Sequence, residues 1–164
     1  MSPLRPRVYV ENLPEKRFAE ALLQPYAAEI IDGLTTSGAI ALAELSLLEY
    51  PERPVAVLLN APAGDRRESE QSRATVKRIL ARAAPEGWYV GVAIPRLDAW
   101  AMTDPRIKQD FESYLQGRAN YLDRAVRIGE LTKSQPFDPS ELYRKSDDFK
   151  GLVEFLQRYS PCAK

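Results

Sequence analysis

The chain has 164 residues, which is the size of one compact domain and leaves no room for two independent hydrophobic cores. With 45% hydrophobic and 28% charged residues it has the composition of a globular protein, which excludes collagen-like, disordered and disulfide-stapled classes. The 23 basic residues balance 23 acidic ones, and a formal net charge of +0 provides no overall field that attracts nucleic acid. No apolar run approaches the roughly 20 residues of a membrane span, and the first residues carry no apolar signal core, so we expect a cytoplasmic protein without membrane contact.

The chain contains no histidine and a single cysteine, Cys162. These counts exclude a Ser-His-Asp or Cys-His nucleophile and the usual Cys/His zinc site. A single cysteine cannot form an internal disulfide, which is compatible with a reducing compartment. Catalysis by this chain would have to rely on Asp and Glu, as acid-base groups or as oxygen ligands of a hard metal ion.

Four short runs rich in β-branched and aromatic residues predict β-strands, over residues 8–10, 29–33, 55–59 and 88–94. The third run has no polar alternation, which is typical of a central strand covered on both faces. Gly33, at the end of the second run, is expected to adopt the positive φ that a strand-to-helix turn often requires.

Helical patterns separate these strands. Residues 40–48 are apolar nearly all round, which predicts a helix held against the sheet and away from solvent. The helices after the first and third strands have an apolar side made of Phe18, Ala21 and Leu22 in one case and of Val76, Ile79, Leu80 and Ala83 in the other. Alternating strands and helices predict an α/β fold with an open, mostly parallel sheet of about four strands and flanking helices.

After residue 95 the pattern is helical. Apolar spacing predicts one long helix from about residue 105 to about residue 133, followed by an exposed connector at residues 134–136. Asp138 before Pro139 predicts a helix start, and the apolar positions between 149 and 156 predict a final amphipathic helix. We therefore divide the chain into an α/β core, residues 1–104, and a helical extension, residues 105–164, packed on the same domain.

Ligands of an open parallel sheet bind at the carboxyl ends of its strands. The residues at or just after those ends are Glu11, Gly33, Asn60 and Asp98. A carboxylate directly after the first strand, facing a polar loop after the third, is the layout of a hard-metal site.

This arrangement resembles the TOPRIM domain, in which a Glu after the first strand and an Asp-x-Asp after the third bind magnesium for phosphodiester chemistry. Residues 8–11 (VYVE) resemble the family's VEG segment, and residues 53–59 (RPVAVLL) resemble the strand before the Asp-x-Asp. Residues 95–100 (PRLDAW) are similar to the P-x-L/I-E-A-W segment of stand-alone TOPRIM-like proteins. The resemblance covers residues 7–104 and, more loosely, the final helix. It implies a TOPRIM/Rossmann-like fold, Mg²⁺ as the cofactor of an active member, and an ATPase partner in bacterial defence or repair.

The sequence departs from the family pattern where the metal would bind. The Asp-x-Asp positions hold Asn60, Ala61 and Pro62. A neutral amide is a poor Mg²⁺ ligand and proline is none, so the resemblance implies a degenerate site in which Glu11 is a relic ligand. From the residues alone, Glu11 is interpreted equally well as a loop residue or helix cap and as a relic metal ligand.

An active site stays open as an alternative, in which Glu11, Asp65 and Asp98 hold Mg²⁺ in a rearranged geometry, with Asp104 as a substitute for Asp98. The simpler interpretations are that Asp65 is a solvated turn residue, that Asp98 caps the next short helix, and that Trp100 packs in the core. The one local basic cluster is most simply a solvated helix face, with weak nucleic-acid binding as the alternative. This cluster comprises Arg66, Arg67, Arg73, Lys77, Arg78 and Arg82.

Three functions are consistent with these residues. The first is a catalytically degenerate TOPRIM-like subunit that contacts an ATPase or another protein, or forms a homodimer, through its helical extension, and meets nucleic acid only weakly or indirectly. The second is an active Mg²⁺-dependent nuclease with the rearranged carboxylates. The third is a small-molecule or nucleotide binder that uses the strand ends without catalysis; we expect no cofactor unless the chain is the active nuclease, which would use Mg²⁺.

Overall fold

The computed structural model describes residues 4–114 and 120–159, and it confirms the predicted α/β fold. All four strands are parallel and lie in the order β2-β1-β3-β4, so β1 and β3 are central. The strands are β1 (Arg7–Val10), β2 (Glu29–Asp32), β3 (Val55–Asn60) and β4 (Trp88–Ala93).

Eight helices surround the sheet in the described part of the chain. They are α1 (Leu13–Leu22), α2 (Thr36–Glu49), α3 (Arg66–Ala83), α4 (Leu97–Ala101), α5 (Pro105–Tyr114), α6 (Tyr121–Ser134), α7 (Ser140–Lys145) and α8 (Asp147–Tyr159). None of the helices that the structure describes is long and apolar enough to cross a membrane.

Each face of the sheet is covered by its own hydrophobic core. Val10 and Leu58 point to a core shared with α1 and the helices after β4, whereas Tyr9 and Val57 point to a core shared with α2 and α3. Burial on both faces explains why β3 has no polar alternation. The helices after residue 105 bury large side chains in the first of these cores, among them Ile107, Phe111, Ile128, Phe149 and Leu152.

The prediction of one long helix over 105–133 is wrong. Asn120 and Asp123 form a reciprocal capping box that starts α6 as a separate helix. Arg127 on α6 pairs with Asp110 on α5 through two bonds of 2.8 Å, although 17 residues of continuous helix would place them about 25 Å apart. Residues 115–119, which the prediction also covered, lie outside the described residues. The predicted helix start near Asp138 is present, but Pro139 rather than Asp138 is the N-cap residue of α7, and this short helix is separate from α8.

The prediction that residues 40–48 are shielded from solvent is also wrong. The side of α2 that faces away from the sheet exposes Leu42, Leu45 and Leu48 by 41%, 48% and 60%. This side of α2 therefore faces solvent in the described part of the chain. We call these three residues the α2 leucine row.

Gly33 is required for a different reason from the one predicted. The positive φ in this turn belongs to Leu34, at 68°. A Cβ atom on Gly33 would overlap the backbone of Ala39, and one on Gly38 would overlap the Gly33 carbonyl oxygen. Both glycines therefore allow the start of α2 to pack directly against the turn that follows β2.

Candidate functional site

The order of the strands itself indicates where a ligand site can form. From β1 the chain crosses to β2 on one side, and it returns to place β3 on the other side of β1. In open α/β sheets, ligands bind at this reversal, outside the carboxyl ends of the two strands. Glu11 follows β1 directly and Asn60 is the last residue of β3, so both lie at this point.

Glu11 and Asn60 are joined by two hydrogen bonds. The Asn60 backbone N–H donates to Glu11 Oε1 at 3.2 Å, and the Asn60 side-chain Nδ2 donates to Glu11 Oε2 at 3.1 Å. The structure thus brings together the first carboxylate and the altered Asp-x-Asp position that the sequence singled out.

A third residue, Glu15, completes the cluster and was not predicted. Asn12 caps α1 by accepting a hydrogen bond from the Glu15 backbone N–H at 3.1 Å, which fixes Glu15 in the first turn. The Glu15 side chain, only 3% exposed, accepts a 2.7 Å hydrogen bond from Asn60 Nδ2. Asn60 Nδ2 therefore donates to two carboxyl groups at once, and we call Glu11, Glu15 and Asn60 the Glu15 cluster.

Burial raises the pKa of the Glu15 carboxyl to about 7. The negative charges of Glu11 and Asp98 raise this pKa further, while hydrogen bonding to Tyr121 and Asn60 lowers it. Burial also raises the pKa of the Tyr121 hydroxyl, and the nearby Glu15 charge adds to that increase. Near neutral pH, Glu15 is therefore partly protonated.

Several buried atoms of this region lack a well-aligned hydrogen bond to any described residue. They are Glu15 Oε2, Asn60 Oδ1 and the Tyr121 hydroxyl oxygen. The Glu15 carboxyl and the Tyr121 hydroxyl influence each other's pKa through hydrogen bonding and charge, so the two groups lie close together. Atoms such as Arg73 Nε and Ser46 Oγ also lack a well-aligned partner among the described residues, so this feature does not by itself mark a functional position.

The Glu15 cluster does not fit a magnesium ion. Mg²⁺ requires oxygen ligands in near-octahedral geometry, whereas the group that lies between the two carboxyls is an N–H donor. Within residues 4–114 and 120–159, no three His, Cys, Asp or Glu side chains converge as a metal site. The Asn60 amide bridges the Glu11 and Glu15 carboxyls by donating a hydrogen bond to each.

The other predicted carboxylates are engaged elsewhere. Asp65 caps α3 by accepting a 2.6 Å hydrogen bond from the Glu68 backbone N–H. Asp98 pairs with Arg124 at 2.8 Å and reaches the Glu15 cluster only through its charge. Asp104 is buried and accepts hydrogen bonds from the backbone N–H groups of Arg106 and Asp138. The structure does not bring these three together with Glu11.

Trp100 packs in the core, as the simpler interpretation predicts, with its ring edge-on to Phe149 at 5.4 Å between centroids. The basic cluster on α3 is divided. Arg66, Arg67 and Lys77 are exposed, whereas Arg73 is committed to an ion pair with Asp148 at 2.8 Å.

Asp148 organises a second polar group, at the edge strand β4. Arg73 Nη2 lies 3.0 and 2.8 Å from the two carboxylate oxygens of Asp148, and the Val92 backbone N–H donates to Asp148 Oδ2 at 2.6 Å. The Tyr89 hydroxyl donates to the Asp148 carbonyl oxygen, and burial raises the pKa of Tyr89 to about 12. These contacts fasten α8 to the sheet edge, and we call Arg73, Asp148 and Val92 the Asp148 cluster.

A cavity of about 280 Å³ adjoins Glu11 and Asn60 on the α2/α3 face of the sheet. Sequence reasoning placed polar residues at the strand ends but did not predict this cavity, because the helix positions that line it are far apart in the chain.

Comparison with known proteins adds no relative from which a function can be transferred. The chain matches no known protein-family model, and no curated protein is significantly similar to it.

Proposed function

We propose that this chain is a TOPRIM-like domain whose metal chemistry has been lost, and that it acts in the cytoplasm as an interaction or regulatory subunit of an ATPase in nucleic-acid-directed defence or repair. The segments around Glu11, residues 53–59 and residues 95–100 support the family assignment. The family's ATPase association supplies the partner.

The observation that carries the loss of catalysis is the bonding of Asn60. Its amide donates to both Glu11 and Glu15, at 3.1 and 2.7 Å. An aspartate at this position would instead add a third carboxyl, whose repulsion of Glu11 and Glu15 a bound cation or a proton would have to relieve. Asn60 makes the cluster self-sufficient without a metal, and Pro62 offers no ligand at the second position.

The α2 leucine row supports a role in protein contacts. These three leucines form one exposed row on a single helix, whereas the helical extension buries most of its large apolar side chains and exposes others, such as Leu122 and Val126 on α6. Exposed apolar patches of monomers often mark protein interfaces. The α2 leucine row should therefore be tested for the ATPase contact in addition to the helical extension.

Calorimetric titration with MgCl₂ and MnCl₂ tests the metal part of the proposal. We expect no site tighter than about 100 µM, because tight sites rely on several carboxylates. A tighter site in the unmodified protein that disappears in Glu11→Gln would overturn the proposal and favour the nuclease.

Purification of the tagged chain from its native host, with its neighbouring gene products, tests the partner. We expect an ATPase to co-elute with the unmodified chain. The double variant Leu42→Glu/Leu45→Glu should no longer bind it. The matched control Leu122→Glu/Val126→Glu, on the exposed side of α6, should still bind it. If only the α6 double variant loses the ATPase, the contact lies on the helical extension. A monomer that degrades a labelled oligonucleotide with Mg²⁺, and is inactive as Glu11→Gln, would overturn the proposed function.

A further inference from the structure

The cavity beside Glu11 has the features of a preformed small-molecule site. Its volume of about 280 Å³ is just below the range for ligand pockets, roughly 300–1,000 Å³. Ile40, Leu59 and Val76 give it an apolar floor from a helix, a strand and a second helix. It lies at the β1/β3 reversal, where open α/β sheets place their ligands.

The wall formed by α2 is held in place by close packing. The two glycines of the β2–α2 connection permit backbone contact that any side chain would prevent. The Thr35 side chain accepts a hydrogen bond from the Gly38 N–H at 2.9 Å, and Asp32 accepts one from the Leu34 N–H at 2.7 Å. A wall fixed in this way loses little freedom when a ligand binds, which favours affinity.

The polar groups of the cavity select the kind of ligand. Thr36, Gln71, Ser72 and Thr75 provide hydroxyl and amide groups around the floor, and among the described residues that line the cavity only Glu11 is charged. Each Glu11 oxygen already accepts one hydrogen bond from Asn60 and retains capacity for another. A ligand that donates hydroxyl or amino hydrogens to Glu11 is favoured, while a phosphate beside this carboxylate is repelled.

We propose that this cavity binds an uncharged, nucleoside-sized molecule, with its ring on Ile40, Leu59 and Val76 and its hydroxyl or amino donors directed to Glu11. The small volume excludes a triphosphate from the interior, and the sign of the charge disfavours a monophosphate. The inference rests on the cavity and does not depend on whether the chain has lost its metal chemistry or contacts an ATPase.

Titration of ¹⁵N-labelled protein, followed by NMR, tests this inference with adenosine, guanosine, cytidine and uridine as probes. We expect saturable shifts at amides around the cavity for at least one nucleoside, and weaker binding of its 5′-monophosphate. Thr75→Phe, which fills the cavity from an exposed position, should abolish these shifts. Lys77→Phe, two residues further along the same helix and outside the lining, should preserve them.

Glu11→Gln provides a second test that keeps the shape of the side chain. It should weaken binding roughly tenfold or more, because the hydrogen bond to the ligand loses its charged acceptor. The inference is overturned if no nucleoside gives saturable shifts at millimolar concentration. It is equally overturned if Thr75→Phe binds as well as the unmodified protein, or if the monophosphate binds more tightly than the nucleoside.

Discussion

The Glu15 cluster lies at the ends of the central strands β1 and β3, the Asp148 cluster lies at the edge strand β4, and the two clusters differ in how their carboxyl charges are balanced. In the Asp148 cluster, a carboxylate is matched by an arginine and by a backbone N–H of the edge strand. In the Glu15 cluster, two carboxyls share one uncharged amide, and the cluster contains no basic residue. The first arrangement balances the charge of its carboxylate and joins two elements of the fold, whereas the second leaves a buried acid group without a counter-charge, and burial raises the pKa of Glu15.

The largest effect should follow from breaking the joint. Asp148→Ala leaves Arg73 without its counter-ion and the Val92 N–H without an acceptor. Removing one partner of a buried ion pair costs about 3–5 kcal/mol, and because both side chains keep some exposure we expect a loss of about 3 kcal/mol. Urea denaturation gives this value directly.

Asp147→Ala is the matched control for that measurement. Asp147 is exposed in the same first turn of α8, so it contributes only the interaction with the helix dipole, less than about 1 kcal/mol. Equal losses in the two variants would show that α8 is not fastened through the Asp148 side chain.

The next effect concerns the pH dependence of the Glu15 cluster. The pKa of Glu15 is about 7 in the folded protein, against an ordinary value of 4.5. Between these values the folded state binds more protons than the unfolded state, so stability falls as the pH rises through this range and levels off above it. We expect Glu15 to remove about 2 kcal/mol of stability between pH 5 and pH 8.

Glu15→Gln should remove this part of the pH dependence, since glutamine does not titrate. Glu20→Gln, on the exposed side of the same helix, should leave the curve unchanged. Free energies of unfolding measured at several pH values separate the two. A Glu15→Gln profile that retains the full decline would place the titrating group elsewhere.

The contrast between the clusters also shows what sequence reasoning can reach. The strands and the faces of α1, α3 and α8 follow from apolar periodicity, because burial imposes the spacing of side chains directly. The boundary before α6 was missed, although the Asn120 and Asp123 capping box is visible in the sequence, since apolar spacing happens to continue across it. The solvent-exposed side of α2 carries leucines, so composition alone predicted burial there.

The residues of the candidate site differ in how well the sequence predicts their positions. Glu11 and Asn60 were found because parallel strands end at one edge, so position in the chain gives position in space. Glu15 appeared only as part of a helix, although Asn12 three residues earlier marks a cap. Arg73 and Asp148 are 75 residues apart, and nothing in either local segment indicates their pairing.

The smallest effect tests whether Asn60 stands in for a cation. Asn60→Asp removes the shared N–H donor and places a third carboxyl beside Glu11 and Glu15, so we expect a lower melting temperature at pH 8 than for the unmodified protein. Adding 10 mM MgCl₂ should then restore about 1 kcal/mol in the variant, as a weak site of roughly millimolar affinity would, and should leave the unmodified protein unaffected. Asn60→Ala separates the two causes, because it removes the donor without adding charge and should not respond to Mg²⁺. Stabilisation of all three proteins alike would indicate a general salt effect, and the amide would then have no special relation to a lost metal.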